Sequence, residues 1–183
     1  MSQRDSGYER KERDLYETPE WVTEALLPHL PGRLLNVIWE PACATGKMAR
    51  VLERVGEVWG CDIEPGEGYI YADFLGPTPR VDVDSVSAII TNPPYKLATE
   101  FIERALDRTR HLGGLVAMLL RTDFDHAVTR SHLFAKHPAF AKKVVLRRRI
   151  KWFDDSKGSP SFNHAWFIWD WKHSGPPTLA YGP

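Results

Sequence analysis

The chain has 183 residues, 43% of them hydrophobic and 26% charged, with 24 Lys and Arg against 24 Asp and Glu and no formal net charge. That is enough for one ordinary globular domain with a real core, and it excludes a disordered chain. Two cysteines without a CxxC pair exclude a disulfide framework, and the lack of any apolar run near ~20 residues excludes a membrane-spanning helix.

Residues 1–14 are charged, lack an apolar signal-peptide core and read as a flexible tail. A helix is expected from Thr18, with Thr18 as N-cap and Pro19 at the first helical position; Trp21, Val22, Ala25 and Leu26 keep its spacing. Leu34 to Ile38 reads as a buried strand, followed by the small-residue loop Pro41 to Gly46 and a helix bearing Met48, Val51, Leu52 and Val55. Val58 to Cys61 and Tyr69 to Ala72 read as strands ending at Asp62 and Asp73. Val86 to Thr91 is a buried strand that leads into Asn92-Pro93-Pro94-Tyr95, and a helix over Leu97 to Arg110 follows. Leu115 to Leu120 is another buried strand; after Thr122 a helix carrying Phe124, Ala127 and Val128 is expected. Val144 to Trp152 and Phe162 to Trp171 read as two strands without an intervening helix, hence an antiparallel hairpin at one end of the sheet. Residues 15–172 then form a single α/β domain with a largely parallel sheet, and 173–183 a Gly/Pro-rich tail.

Candidate sites fall at the carboxyl ends of the strands, where open α/β sheets bind ligands. The loop Glu40 to Gly46 lets a ligand approach the backbone, yet it is neither a GxGxxG loop nor a P-loop, and a plain strand-to-helix turn reads equally well. Asp62 suits a ribose diol or is a solvated loop acid. Asp73-Phe74 offers an acceptor for an adenine amine and a ring to pack on it. Asn92 to Tyr95 is sharper. Two prolines stiffen the turn, Asn92 and the Pro93 carbonyl can accept the hydrogens of an amine, and Tyr95 offers a flat face. Two acceptors on a conjugated NH2 favour a pyramidal nitrogen with a localised lone pair, able to attack a methyl group without a strong base. The histidines are scattered; His126, His132 and His137 share no helical face, and no metal site is expected.

These residues resemble the class I S-adenosylmethionine-dependent methyltransferases that modify exocyclic amines of bases, over roughly Tyr16 to Trp171. Asn92, Pro93, Pro94 and Tyr95 match the catalytic tetrapeptide of that group, and Glu40, Pro41, Ala42, Cys43, Ala44, Thr45 and Gly46 its glycine-rich loop, with Ala44 where the family prefers glycine. The resemblance implies a Rossmann-like, seven-stranded, largely parallel sheet with a C-terminal antiparallel hairpin and helices on both faces. It also implies S-adenosyl-L-methionine as cofactor. Asp62 falls on the ribose ligand, with Ile63 beside the adenine. Asp73 with Phe74 falls on the acid after the third strand, and Tyr16, Thr18 and Pro19 on the segment capping the methionine carboxylate. The order of the motifs and the Gly158 to Trp169 run resemble small phage-type DNA adenine N6-methyltransferases. RNA adenine and protein-glutamine methylation share the tetrapeptide, and an idle nucleic-acid-binding module is the non-enzymatic alternative.

The charge distribution bears on the substrate. Between Asp125 and Asp154 no acidic residue occurs, while that window holds Arg130, Lys136, Lys142, Lys143, Arg147, Arg148, Arg149 and Lys151. Along the expected strand Val144 to Trp152, Val145, Arg147, Arg149 and Lys151 share one face, opposite Val144, Leu146, Ile150 and Trp152, with Arg148 interrupting. Lys142, Lys143, Arg147, Arg149, Lys151 and Phe162 are therefore expected to meet a nucleic acid, most simply DNA; a solvated edge strand is the bland alternative. With no room for a separate target-recognition domain, short-site specificity, a homodimer or a partner chain is expected. A cytoplasmic location follows from the free thiols and the charged N-terminus.

Overall fold

A computed structural model of the chain describes residues 17–33, 35–77, 85–152 and 162–183. Eight strands form one sheet: β1 (Val37–Glu40), β2 (Glu57–Asp62), β3 (Ile70–Tyr71), β4 (Val86–Thr91), β5 (Leu115–Arg121), β6 (Phe140–Val145), β7 (His164–Asp170) and β8 (Thr178–Tyr181). Their order is β3-β2-β1-β4-β5-β7-β6-β8. β7 alone runs against its neighbours, pairing antiparallel with both β5 and β6; the other pairings are parallel. The chain winds outward through β2 and β3 on one side of β1 and resumes at β4 on the other. The carboxyl ends of β1 and β4 thus flank the switch point, where such sheets open a crevice.

Both faces are covered, so the central strands alternate between two cores. Leu115, Ala117 and Leu119 of β5, with Trp166 and Ile168 of β7, pack toward α1 (Glu20–Glu24) and α2 (Lys47–Leu52) through Val22, Leu26, Met48 and Leu52. Val116, Met118, Leu120, Phe167 and Trp169 face the other way, toward Phe101, Ile102, Ala105 and Leu106 of α3 (Ala98–Arg110). Trp166 donates its indole N–H to the Val22 carbonyl at 2.8 Å, which ties α1 to the hairpin.

Several expectations need correction. The sheet has eight strands, not seven: residues 178–181, expected in a tail, pair in parallel with β6. The helix expected after Thr122 is instead two single 3-10 turns, Phe124–His126 and Val128–Arg130, divided by Ala127 in an extended conformation. Val128 is 87% exposed; Leu133 and Phe134 cover the sheet in its place. The strand expected over Val144 to Trp152 ends at Val145. Beyond it Leu146 and Ile150 remain buried and Arg147, Arg148, Arg149 and Lys151 remain exposed, so the division of faces survives without a ladder. The first helix has Pro19, not Thr18, at its N-cap position, and no side chain caps it.

Candidate active site

The loop after β1 is bound on every side. Cys43 N–H donates to the Cys61 carbonyl at 3.0 Å, Gly46 N–H to the Cys43 carbonyl at 2.7 Å, and Gly66 N–H to the Ala44 carbonyl at 2.8 Å. Ala44 and Gly46 both take left-handed backbone, φ 48° and 81°. Glycine is the residue that enters this region without steric cost, so Ala44 carries strain. A Cβ on Gly46 would run into the Tyr69 ring.

Beneath the loop, Glu17, Thr18, Glu40, Ala42, Lys47 and Asn92 are among the residues that line a small recess of about 20 Å³, partly open to solvent. Glu40, 2% exposed, has one carboxylate oxygen without a hydrogen-bond partner. Burial, and then the neighbouring Asp62 charge, raise its pKa well above the usual carboxylate range, against a backbone hydrogen bond from Ala49. Glu17 closes the recess from the upstream segment: its carboxylate accepts from the Thr45 hydroxyl and pairs with Lys47 Nζ at 2.7 Å. Burial opposes its ionisation, yet the bonds to Lys47 and Thr45 hold its pKa below the ordinary value.

Asp62 holds the adjoining turns together. Its two oxygens accept from the backbone N–H groups of Ala44 at 2.9 Å and Glu64 at 3.0 Å, leaving lone pairs for a hydroxyl. Burial raises its pKa, partly offset by the backbone bonds. Ile63 beside it is 47% exposed and open to a planar ring. Asp73 is exposed and accepts from Leu75 N–H at 2.9 Å. Phe74 does not join the site: it is 2% exposed, edge-on to Trp39 at 5.1 Å and tilted against Phe101 at 4.9 Å, and serves the core.

Asn92 extends from β4 into the recess and Pro93 is buried beside it. The Pro94 carbonyl is taken by Leu97 N–H at 2.9 Å, which starts the turn into α3. The Tyr95 hydroxyl lies 2.9 Å from His164 Nε2, and the two rings are near-parallel with centroids 6.1 Å apart. His164 is 2% exposed at the start of β7, opposite Arg121 of β5, with the Trp152 ring edge-on at 5.3 Å. Burial, and then the Arg121 charge, push its pKa down to about 4, against Asp123 and the Phe162 backbone, so the ring is neutral at neutral pH.

The basic window divides in two. Lys142 donates to the His29 carbonyl at 3.2 Å, and Lys143 to Asp125 at 2.7 Å and the Thr122 carbonyl at 2.9 Å. Both are half-buried and spent on internal partners, which removes them from the expected phosphate contacts. Arg147, Arg148, Arg149 and Lys151 are exposed. Arg147 donates to the Gly182 carbonyl at 2.8 Å, Arg148 lies over Trp21, and Arg149 donates to the Asn163 side chain at 2.9 Å. Next to Asn163, half-buried Phe162 carries the Arg121 guanidinium 4.1 Å above its ring.

Tyr16 and most of the loops expected near 76–84 and 153–161 lie outside the described residues. Sequence reasoning missed Glu17, which lies between Tyr16 and Thr18, and His164. A lone histidine opening an apolar strand was the available sign, but it has no spacing partner.

A sheet ordered 3-2-1-4-5-7-6 with strand 7 reversed, and a site split between the ends of its first and fourth strands, define the class I methyltransferase fold, here with an added edge strand. Solved structures agree. The type I restriction-modification methyltransferase subunit of Streptococcus thermophilus superposes with a TM-score of 0.62 at 13% identity, covering 87% of this chain and 45% of that one. A Listeria monocytogenes protein assigned to the class I S-adenosylmethionine-dependent methyltransferases gives 0.55 at 14%, covering 87% and 62%. The E. cuniculi Mtq2–Trm112 complex, responsible for methylation of the termination factor eRF1, gives 0.57 at 15%, covering 85% of this chain and 97% of the matched one. The chain thus spans about half the length of the restriction-modification subunit. No protein-family model matches the chain, and no curated protein sequence does.

Proposed function

We propose that the chain is an S-adenosylmethionine-dependent methyltransferase that methylates an exocyclic amine, N6 of adenine in DNA. The observation that carries this reading is that Asn92 lines the same recess as Glu40, Ala44 and Lys47. Acceptors for an amine and a polar pocket for a cofactor thus share one wall. The recess suits a cofactor with a polar, hydrogen-bonding end, because the buried Glu40 carboxyl has an oxygen left over there. Bound there, the cofactor supplies a methyl group on a sulfonium centre, electrophilic without further activation.

The chain's own residues do the rest. Asn92 and the Pro93 carbonyl would accept the amine hydrogens and localise the nitrogen lone pair toward that methyl group, and the spare proton would pass to water. Tyr95 stacks on the extruded base, worth roughly 1–3 kcal/mol. Arg147, Arg148, Arg149 and Lys151, together with Phe162, favour a nucleic acid over a peptide.

Labelled cofactor offered to DNA, RNA and protein, with digestion and mass spectrometry of the products, tests the reading. N6-methyladenine in DNA is the expected product. Label in RNA or on glutamine moves the substrate class, and no label in any of them leaves an idle binding module. Tyr95→Ala is expected to lose most turnover while calorimetry still registers cofactor binding.

A further inference from the structure

The tetrapeptide Asn92 to Tyr95 sits at the end of β4, yet its tyrosine is held from β7. We propose that His164 is a positioning residue that fixes where the Tyr95 ring stands through the hydroxyl–Nε2 hydrogen bond, and so sets the position of the surface on which the acceptor base stacks. The inference rests on the methyltransferase reading above.

The geometry supports it from several sides. The hydrogen bond is 2.9 Å long, and the residue that makes it is almost wholly buried. Trp152 stands edge-on to the imidazole, and Arg121 lies across the ladder from it, so the histidine is wedged in place. An imidazole so enclosed cannot follow a moving tyrosine; the tyrosine must follow it. A free tyrosine ring rotates about two torsions. One whose hydroxyl is tethered to a rigid ring no longer swings about the first, and that part of the ordering cost is met before the base arrives.

The imidazole is enclosed by groups from several elements. It meets the Tyr95 hydroxyl at Nε2, the Arg121 and Asp123 charges, the Trp152 edge and the Phe162 backbone. Neutral imidazole has one donor and one acceptor nitrogen. Nδ1 is buried without a hydrogen-bond partner of normal geometry, so the bond between Nε2 and the Tyr95 hydroxyl is the one that anchors the imidazole.

A double-mutant cycle on the full chain tests this. His164→Phe and Tyr95→Phe are each expected to lower kcat about tenfold, with cofactor affinity unchanged within about twofold. The double variant should be no slower than either single one. His164→Gln, whose amide reaches the Nε2 position, should recover most of the loss. Losses that multiply in the double variant, or an unchanged kcat in His164→Phe, overturn the proposal. Should His164→Phe not fold, the ring nitrogens decide by NMR. In the parent chain Nε2 should show the signature of a hydrogen-bonded ring nitrogen and shift in Tyr95→Phe; no shift overturns the proposal. If the parent chain methylates no amine, the functional reading fails, while the NMR result still reports whether His164 holds Tyr95.

Discussion

Ala44 sits at φ 48° with its N–H on Asp62 and its carbonyl on Gly66 N–H, so it cannot relax without releasing both. Ala44→Gly is therefore expected to stabilise the fold by about 0.5–1 kcal/mol, since the relieved left-handed strain exceeds the added freedom of the unfolded chain. Thermal denaturation should show a Tm about 2–3 °C higher, and a lower Tm would mean that the loop has no strain to release. Asp62 carries the complementary load. Asp62→Ala removes an acceptor from two backbone N–H groups and should weaken cofactor binding; calorimetry on the variant checks it. Neither role follows from spacing. In sequence Ala44 is a departure from a glycine and Asp62 a loop acid; only the folded turn shows that one donates to the other.

At the level of elements, the buried strands were legible because both faces are covered. Val86–Thr91 and Leu115–Arg121 are almost uninterrupted apolar runs, and no other element type fits runs of that length bounded by Gly114 and Asn92. The element after Thr122 was not legible, because its apolar residues meet the sheet through successive turns and not along one helical stripe. β8 was missed for a related reason: three of its four residues are exposed, so no alternation marks it. One tie between elements has a pH signature. Arg33, ahead of β1, donates to both oxygens of Asp170 at the end of β7, at 2.8 and 2.7 Å, and Lys172 N–H donates to the same carboxylate. Burial would raise the Asp170 pKa, but these bonds outweigh it and leave the pKa lowered. The unfolded chain, at about 3.9, then protonates first as the pH falls. The stabilisation is present above about pH 5 and lost as the pH drops through the native pKa. Asp170→Asn should cost about 1–3 kcal/mol at pH 7, and denaturant titrations should find the difference shrinking below about pH 4.

For the whole molecule, zero net charge is the sum of unlike parts. The recess is bordered by Glu17, Glu40 and Asp62, while Arg147, Arg148, Arg149 and Lys151 crowd one exposed stretch. Two lysines counted in that stretch from sequence are consumed inside the fold, so the usable basic surface is smaller than the charge count suggests. If these four exposed cations meet phosphates, log affinity for DNA should fall with log salt at a slope of about −3.6. Fluorescence anisotropy between 50 and 200 mM salt measures it, and a flat dependence would place the nucleic acid elsewhere or nowhere.

β8 gives that surface its shape. The N–H groups of Arg147 and Arg148 both donate to the Pro183 carbonyl at 3.0 Å, and Gly182 N–H returns the bond to Val145. The last turn of chain thus acts as a splint for the arginine run, at the opposite end of the sequence from the recess. If the proposed DNA reading holds, a chain shortened to end at Pro177 should keep its cofactor affinity and lose affinity for DNA, so that the two would be separable by six residues.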